Sequence, residues 1–147
     1  MPDKWNWDSA KTARGAGIIV VRKFNESWKV LGLWARGGYD IPKGHIENDD
    51  DVFETAVRET KEEVGIDKLN FAWGYNSFRE GNLFVFLAET TQEAEVLINL
   101  KSKIYEHEYV EWLTWEQMLA KTYDYLKPVI TNAKKIVEGE HSATKDK

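Results

Sequence analysis

Cysteine is missing from the sequence, which excludes disulfides, thiol catalysis and cysteine-ligated zinc. Proline is scarce, at three in 147 residues, and the three histidines never stand at metal-ligand spacing. Long apolar runs are also missing. The longest, Ile18 to Val21 and Leu83 to Ala88, are far too short to cross a bilayer. The N-terminus, MPDKWNWDSAK, is polar and lacks the apolar core of a secretory signal. Positive charge is in deficit. Twenty Lys and Arg against 25 Asp and Glu give a net charge of −5 and a pI near 5.3. No general basic surface for long nucleic acid follows from that balance. A polyanionic ligand would need local cations or a bound metal. Together these absences point to a soluble, cytoplasmic protein with no membrane partner.

The residues that are present fit one globular domain over 1–147, with 42% apolar residues to build a core. Seven Trp, six Tyr and six Phe are generous for the length, so some are free to meet a ligand. Residues 1–13 read as an arm anchored by Trp5 and Trp7. Gly15–Phe24 is a β-branched run and predicts a buried strand, with Ser27–Trp34 as its hairpin partner. Ala35–Gly44 is glycine-rich and predicts a loop. Further strands are expected at Leu69–Tyr75, Leu83–Glu89, around Val96–Leu100 and at His107–Leu113, with Arg79–Asn82 as the turn between the first two. Thr114 and Gln117 have capping-box spacing for a short helix through Ala120. A last helix is expected from Tyr123 to Glu138, stopped at Gly139, and 140–147 is expected to fray. The order is that of a mixed α/β domain with helices packed on a sheet.

The most secure helix lies in NDDDVFETAVRETKEEVG. Asp51 and Glu54 form a capping box, and Gly65 suits a left-handed C′ position. Phe53, Ala56, Val57, Thr60 and Val64 form one apolar stripe. At 100° per residue, Glu59, Glu62 and Glu63 fall within about 100° of one another beside that stripe. Their mutual repulsion, and their place near the negative end of the helix dipole, are unfavourable. A hard divalent cation would reverse both penalties, because Mg²⁺ or Mn²⁺ prefers oxygen ligands. A solvated acidic face, with Arg58 pairing to Glu54 and Glu62, accounts for the helix taken alone equally well.

The preceding loop, GGYDIPKGHIENDDD, adds the complementary charge. Gly44 permits close backbone approach and its carbonyl can add a metal oxygen. Lys43 supplies a point charge for a phosphate. Carboxylates for a metal beside cations for a polyanion are what metal-assisted phosphoryl hydrolysis requires.

Gly44, five residues, Asp50, seven residues and then Arg58-Glu59-Thr60-Lys61-Glu62-Glu63-Val64-Gly65-Ile66 resembles the Nudix (MutT-like) box, G-x5-E-x7-R-E-U-x-E-E-x-G-U, where U is bulky and aliphatic. Every spacing matches. Asp50 departs from the glutamate and Thr60 from the aliphatic. The resemblance implies an α/β/α sandwich with a mixed sheet and a loop-helix-loop catalytic motif. It implies Glu59, Glu62 and Glu63 as metal ligands for Mg²⁺ or Mn²⁺, Glu59 as one candidate general base, and Arg58 as the residue that orients the carboxylates. The shorter Asp50 puts its contact with Arg58 in doubt, with Asp49 and Asp51 as replacements. Thr60 is expected to pack its methyl and bond a carbonyl one turn back.

IPKGHIENDDDVFETAVRETKEEVGI is similar to the asymmetric diadenosine tetraphosphate hydrolases. EHEYVEWLTWEQ (Glu106 to Gln117) resembles a second segment of that subgroup, which implies Glu106 as a further metal ligand or the base. A strand-edge role for Glu106 stands beside that reading, and His107 is expected to be structural or close to substrate. Where the subgroup places a base-stacking tyrosine, this chain has Leu83 and Phe84. Tyr39, Tyr75, Phe78 and Phe84 remain candidates to stack a base. Lys43, His45, Arg36 and Arg79 are candidates to meet substrate. The implied reaction is cleavage of diadenosine tetraphosphate to ATP and AMP, with a small nucleotide as partner. A 5′-triphosphate RNA, a nucleoside triphosphate, a diphosphoinositol polyphosphate, or binding without cleavage are the alternatives.

Overall fold

The computed structural model describes residues 7–47, 50–74, 77–98 and 103–145; for 7–9, 77 and 140–145 it describes the backbone alone. The elements are α1 (Trp7–Thr12), β1 (Gly15–Phe24), β2 (Ser27–Ala35), β3 (Gly38–Asp40), β4 (Lys43–His45), α2 (Val52–Val64), β5 (Ser77–Glu80), β6 (Leu83–Glu89), β7 (Tyr109–Leu113), α3 (Trp115–Lys121) and α4 (Lys127–Lys145). A single 3₁₀ turn, Asp124–Leu126, precedes α4.

The sheet is mixed, in the order β3-β2-β1-β6-β5. β1 and β6 run parallel at its centre, with Ile18 opposite Phe86 and Ile19 opposite Leu87. Alternation then sends neighbouring residues to opposite faces. Ile18, Val20, Leu31, Leu33, Phe84 and Phe86 meet α2 through Val52, Ala56 and Val64. Ile19, Val21, Val30 and Leu87 meet α3 and α4 through Met118, Val129, Ile130 and Ala133. Buried on both faces, β1 reads as a continuous apolar run rather than an alternating one. The result is the expected α/β/α sandwich. No helix among the described residues is long and apolar enough to cross a membrane.

Several expectations change. The loop predicted over Ala35–Gly44 contains β3 and β4, three residues each, too short to carry a periodicity. Their existence depends on partners supplied by β2 and β1. Instead of strands at Leu69–Tyr75 and Val96–Leu100, the described residues there make only the single bridges Asn70 to Glu89 and Ile98 to Tyr105. The hairpin partner of β6 is β5, which begins at Ser77. β7 begins at Tyr109, later than His107. The N-terminal arm includes α1, whose Ala10 is buried in the α2-side core; Trp5 lies outside the described residues. α4 starts at Lys127 and passes through Gly139 to Lys145, so the expected stop at Gly139 is not present, and residues 146–147 of the expected tail lie outside the described residues. A glycine in a helix costs about 1 kcal/mol, which a helix anchored by a buried apolar face tolerates.

Candidate active site

β4 draws the box loop into the sheet. Lys43, Gly44 and His45 pair with Gly17, Ala16 and Gly15 of β1. The approach is too close for side chains at two points. A Cβ on Gly17 would stand 2.5 Å from the Pro42 carbonyl oxygen, and one on Gly44 would stand 2.1 Å from Glu59 Cδ. The Glu59 carboxylate therefore fills the room that any side chain at 44 would need.

α2 presents the carboxylates. Its capping box is complete: Glu54 N–H donates to Asp51 Oδ1 at 2.8 Å, and Asp51 N–H donates to Glu54 Oε1 at 3.0 Å. Gly65 closes it at φ +76. The buried stripe is Val52, Thr55, Ala56, Thr60 and Val64, so Phe53 and Val57 lie at its margin rather than at its centre. Thr60 Oγ1 donates to the Ala56 carbonyl at 2.8 Å, as expected.

Arg58 organises the helix surface. Its Nε donates to Asp50 Oδ2 at 3.3 Å, and Nη1 donates to Glu59 Oε2 at 3.1 Å and Glu62 Oε1 at 3.3 Å. The shorter Asp50 thus keeps the contact that its substitution for glutamate put in doubt. Glu54 serves the cap, and the partners of Arg58 are Asp50, Glu59 and Glu62. Glu63 is deeper, and its Oε1 accepts from the Lys43 backbone N–H at 3.4 Å. Burial pushes the Glu63 carboxyl up, and the charges of Glu59 and Glu106 push it further, to about 9. Burial raises Glu59 too; Arg58 offsets part of that rise, while Glu62 and Glu106 add to it. Glu106 lies on the exposed segment before β7, and both glutamates feel its charge. Among the described residues, no three Asp, Glu or His side chains are gathered closely enough to hold an ion as they stand. The heads of Glu59 and Glu62 converge on Arg58 instead.

The Lys43 ammonium meets both Asp40 and the Tyr125 hydroxyl. Its Nζ lies 3.0 Å from Asp40 Oδ2, and His107 Nε2 lies 3.6 Å from the same oxygen. Asp40 Oδ1 accepts from the Ile41 N–H at 2.8 Å. Burial works to raise the Asp40 carboxyl, but the His107 ring and the Lys43 charge together lower it. Burial likewise opposes the Lys43 charge, and the Asp40 carboxylate overcomes it and raises the lysine.

An open cavity of about 800 Å³ runs along this edge, within the size range of small-ligand sites. Lys43, Gly44 and His45 line it. Other expected residues are elsewhere. Tyr39 is buried and donates its hydroxyl to Glu111 Oε1 at 2.8 Å, and Phe84 is buried against Phe86. Phe78 packs against the α4-side core. Arg36 sits in the turn after β2, outside the cavity lining, and Arg79 is tied to the Gly81 carbonyl and Thr12 Oγ1. Tyr75 lies outside the described residues. Tyr39, Phe78 and Phe84 are spent on packing because they face the two cores. In their place the cavity takes Arg14, Asn82 and Tyr125. Tyr125 stacks on Tyr123 at 6.3 Å and 11°. The signal for it was the Tyr-Asp-Tyr turn, in which Tyr123 packs on the α4-side core and Tyr125 is left exposed.

The NUDIX domain profile matches residues 11–133. The chain is 32% identical to the mouse (Mus musculus) asymmetrical bis(5′-nucleosyl)-tetraphosphatase, across 71% of this chain and 80% of that protein. It is 30% identical to Nudix hydrolase 10 of Arabidopsis thaliana, across 66% of this chain but only 36% of the plant protein's length. Among solved structures, a C. elegans Ap4A hydrolase binary complex has the same fold, with a TM-score of 0.67 at 20% identity over 86% of this chain and 98% of that one. With a profile match across most of its length and the box laid on a strand, loop and helix that meet at Gly44 and Glu59, the chain belongs to the Nudix hydrolase family.

Proposed function

We propose that the protein hydrolyses a diphosphate linkage in a nucleotide, with asymmetric cleavage of diadenosine tetraphosphate to ATP and AMP as the preferred reaction. The observation that carries the reading is the glutamate edge of α2 set against the cavity-lining Gly44: Glu59 packs on Gly44, and burial with the charges of Glu59 and Glu106 pushes Glu63 up to about 9. Buried like charges of this kind are costly alone and favourable around a cation. The all-oxygen donor set suits Mg²⁺ or Mn²⁺. Glu59, Glu62 and Glu63 would hold the ion, with Glu106 and the Gly44 carbonyl as further donors. When bound, it supplies Lewis acidity at a phosphoryl oxygen and acidifies water.

The remaining work falls to the chain's own groups. Water attacks phosphorus, its proton passes to a carboxylate of Glu59 or Glu106, and the P–O bond to the leaving phosphate breaks. Arg58 fixes the Glu59 carboxylate for that transfer. Lys43 meets the polyphosphate in the cavity and offsets its charge. Tyr125, backed by Tyr123, offers a face for a nucleobase. Similarity to the mouse asymmetrical bis(5′-nucleosyl)-tetraphosphatase supports the dinucleotide substrate.

The test is turnover of a nucleotide panel with Mg²⁺, comparing wild type with Glu63→Gln. The expected result is ATP and AMP from diadenosine tetraphosphate, reduced at least a hundredfold in the variant. Cleavage of 5′-triphosphate RNA but not dinucleotides would overturn the substrate. Nucleotide binding with no turnover would overturn the hydrolase itself.

A further inference from the structure

Asp40 is a buried carboxylate that the mechanism above does not use. Its side chain is 10% exposed, and each of its oxygens has an assignment. The Ile41 N–H holds Oδ1 and fixes the carboxylate plane, which leaves Oδ2 directed at Lys43 Nζ and the His107 ring. Three segments meet at this one group: β3, β4, and the stretch before β7 that carries Glu106. We propose that Asp40 is a positioning residue that sets the Lys43 ammonium in the cavity for a phosphate oxygen; the inference rests on the reading of Lys43 as a phosphate ligand.

The chemistry favours this role. Lysine is a point charge on a flexible four-carbon stem, and a free one loses considerable rotamer entropy on meeting a ligand. An ion pair formed in advance removes that cost at the binding step. The Asp40 carboxylate and the Tyr125 hydroxyl take two of the ammonium's three N–H donors and leave one for phosphate. Since Asp40 Oδ1 is committed to the backbone, the carboxylate cannot turn to follow a wandering ammonium. The lysine is therefore placed by the fold.

The sign of the effect separates positioning from charge alone. Deleting a negative group beside a phosphate site strengthens anion binding by Coulomb's law. Deleting a positioning group weakens it. The experiment is calorimetric titration of inorganic tripolyphosphate into the full chain in EDTA at low ionic strength, for wild type, Asp40→Asn, Lys43→Met and the double variant. Expected are a loss of at least fivefold for Asp40→Asn, a comparable or larger loss for Lys43→Met, and no further loss in the double variant. Unchanged or tighter binding by Asp40→Asn, losses that multiply in the double variant, or no binding by wild type would each overturn the inference. Should Asp40→Asn unfold by circular dichroism, Asp40→Glu carries the test with the same expected sign, because it keeps the charge but displaces the oxygens. With Mg²⁺, Asp40→Asn should raise KM for diadenosine tetraphosphate more than it lowers kcat. A wild type that binds tripolyphosphate with the predicted coupling but cleaves nothing sinks the proposed reaction and leaves Asp40's role standing. The reverse pattern sinks only the role.

Discussion

At the scale of single residues, Gly44 and Glu59 form the tightest constraint in the site. Gly44→Ala would place a methyl where the Glu59 carboxyl carbon stands, 2.1 Å away. The carboxylate has to leave while the strand stays, because the backbone of β4 is extended and accepts alanine. Steady-state kinetics should show kcat down by at least a hundredfold, with a melting temperature close to wild type; retained activity would mean that Glu59 acts from another position. Glu63 gives a second residue-level prediction. Its pKa rises from 4.5 to about 9 on folding, so the folded state holds the extra proton between those values. The metal-free protein should therefore lose stability as pH climbs from about 5 to about 9. Thermal melts in EDTA should show that fall, Glu63→Gln should flatten it, and Mg²⁺ should stabilise the wild type most at the alkaline end. A wild-type melting temperature that rises across the range would contradict the buried, uncompensated charge.

At the scale of elements, α2 was almost fully legible. Its start, stop and acidic face are local: a carboxylate capping its own helix, a glycine at φ +76, and a polar edge beside an apolar stripe. Asp51→Ala should cost about 1 kcal/mol, or a shift of about 2–4 °C in melting temperature, and leave the rate per folded molecule unchanged. The short strands were not legible. β3 and β4 contain three residues each, and nothing within Gly38–Asp40 or Lys43–His45 distinguishes a strand from a loop. Only the edges of β2 and β1 make them strands. The converse error, strands expected at Leu69–Tyr75 and around Val96–Leu100, has the same origin. Apolar or β-branched residues mark a segment that can pair, and pairing needs a vacant neighbour.

At the scale of the whole molecule, β1 joins both cores. Ile18 faces α2 and Ile19 faces α3 and α4, so neither core can open without the strand they share. Ile18→Ala and Ile19→Ala should each destabilise by about 2–5 kcal/mol and shift one common transition. Tryptophan fluorescence and far-ultraviolet circular dichroism should give coincident denaturation curves for both variants. Two separable transitions would show that the faces fold independently.

The sequence by itself determined the family: box spacing, three glutamates on one helix edge, and a lysine and glycine just upstream. Those features lie within one stretch of chain, where helical periodicity and capping place the groups without help from elsewhere. The tertiary structure decided which side chains reach the cavity. Tyr39 and Phe84 look like ligand aromatics in sequence and are buried in packing, while Tyr125 is delivered to Lys43 by a turn far along the chain. It also decided that Asp40 meets Lys43 and His107, and that Asp50 still reaches Arg58. Burial and long-range contact are properties of how strands pair and layers stack, and a single residue's type carries neither.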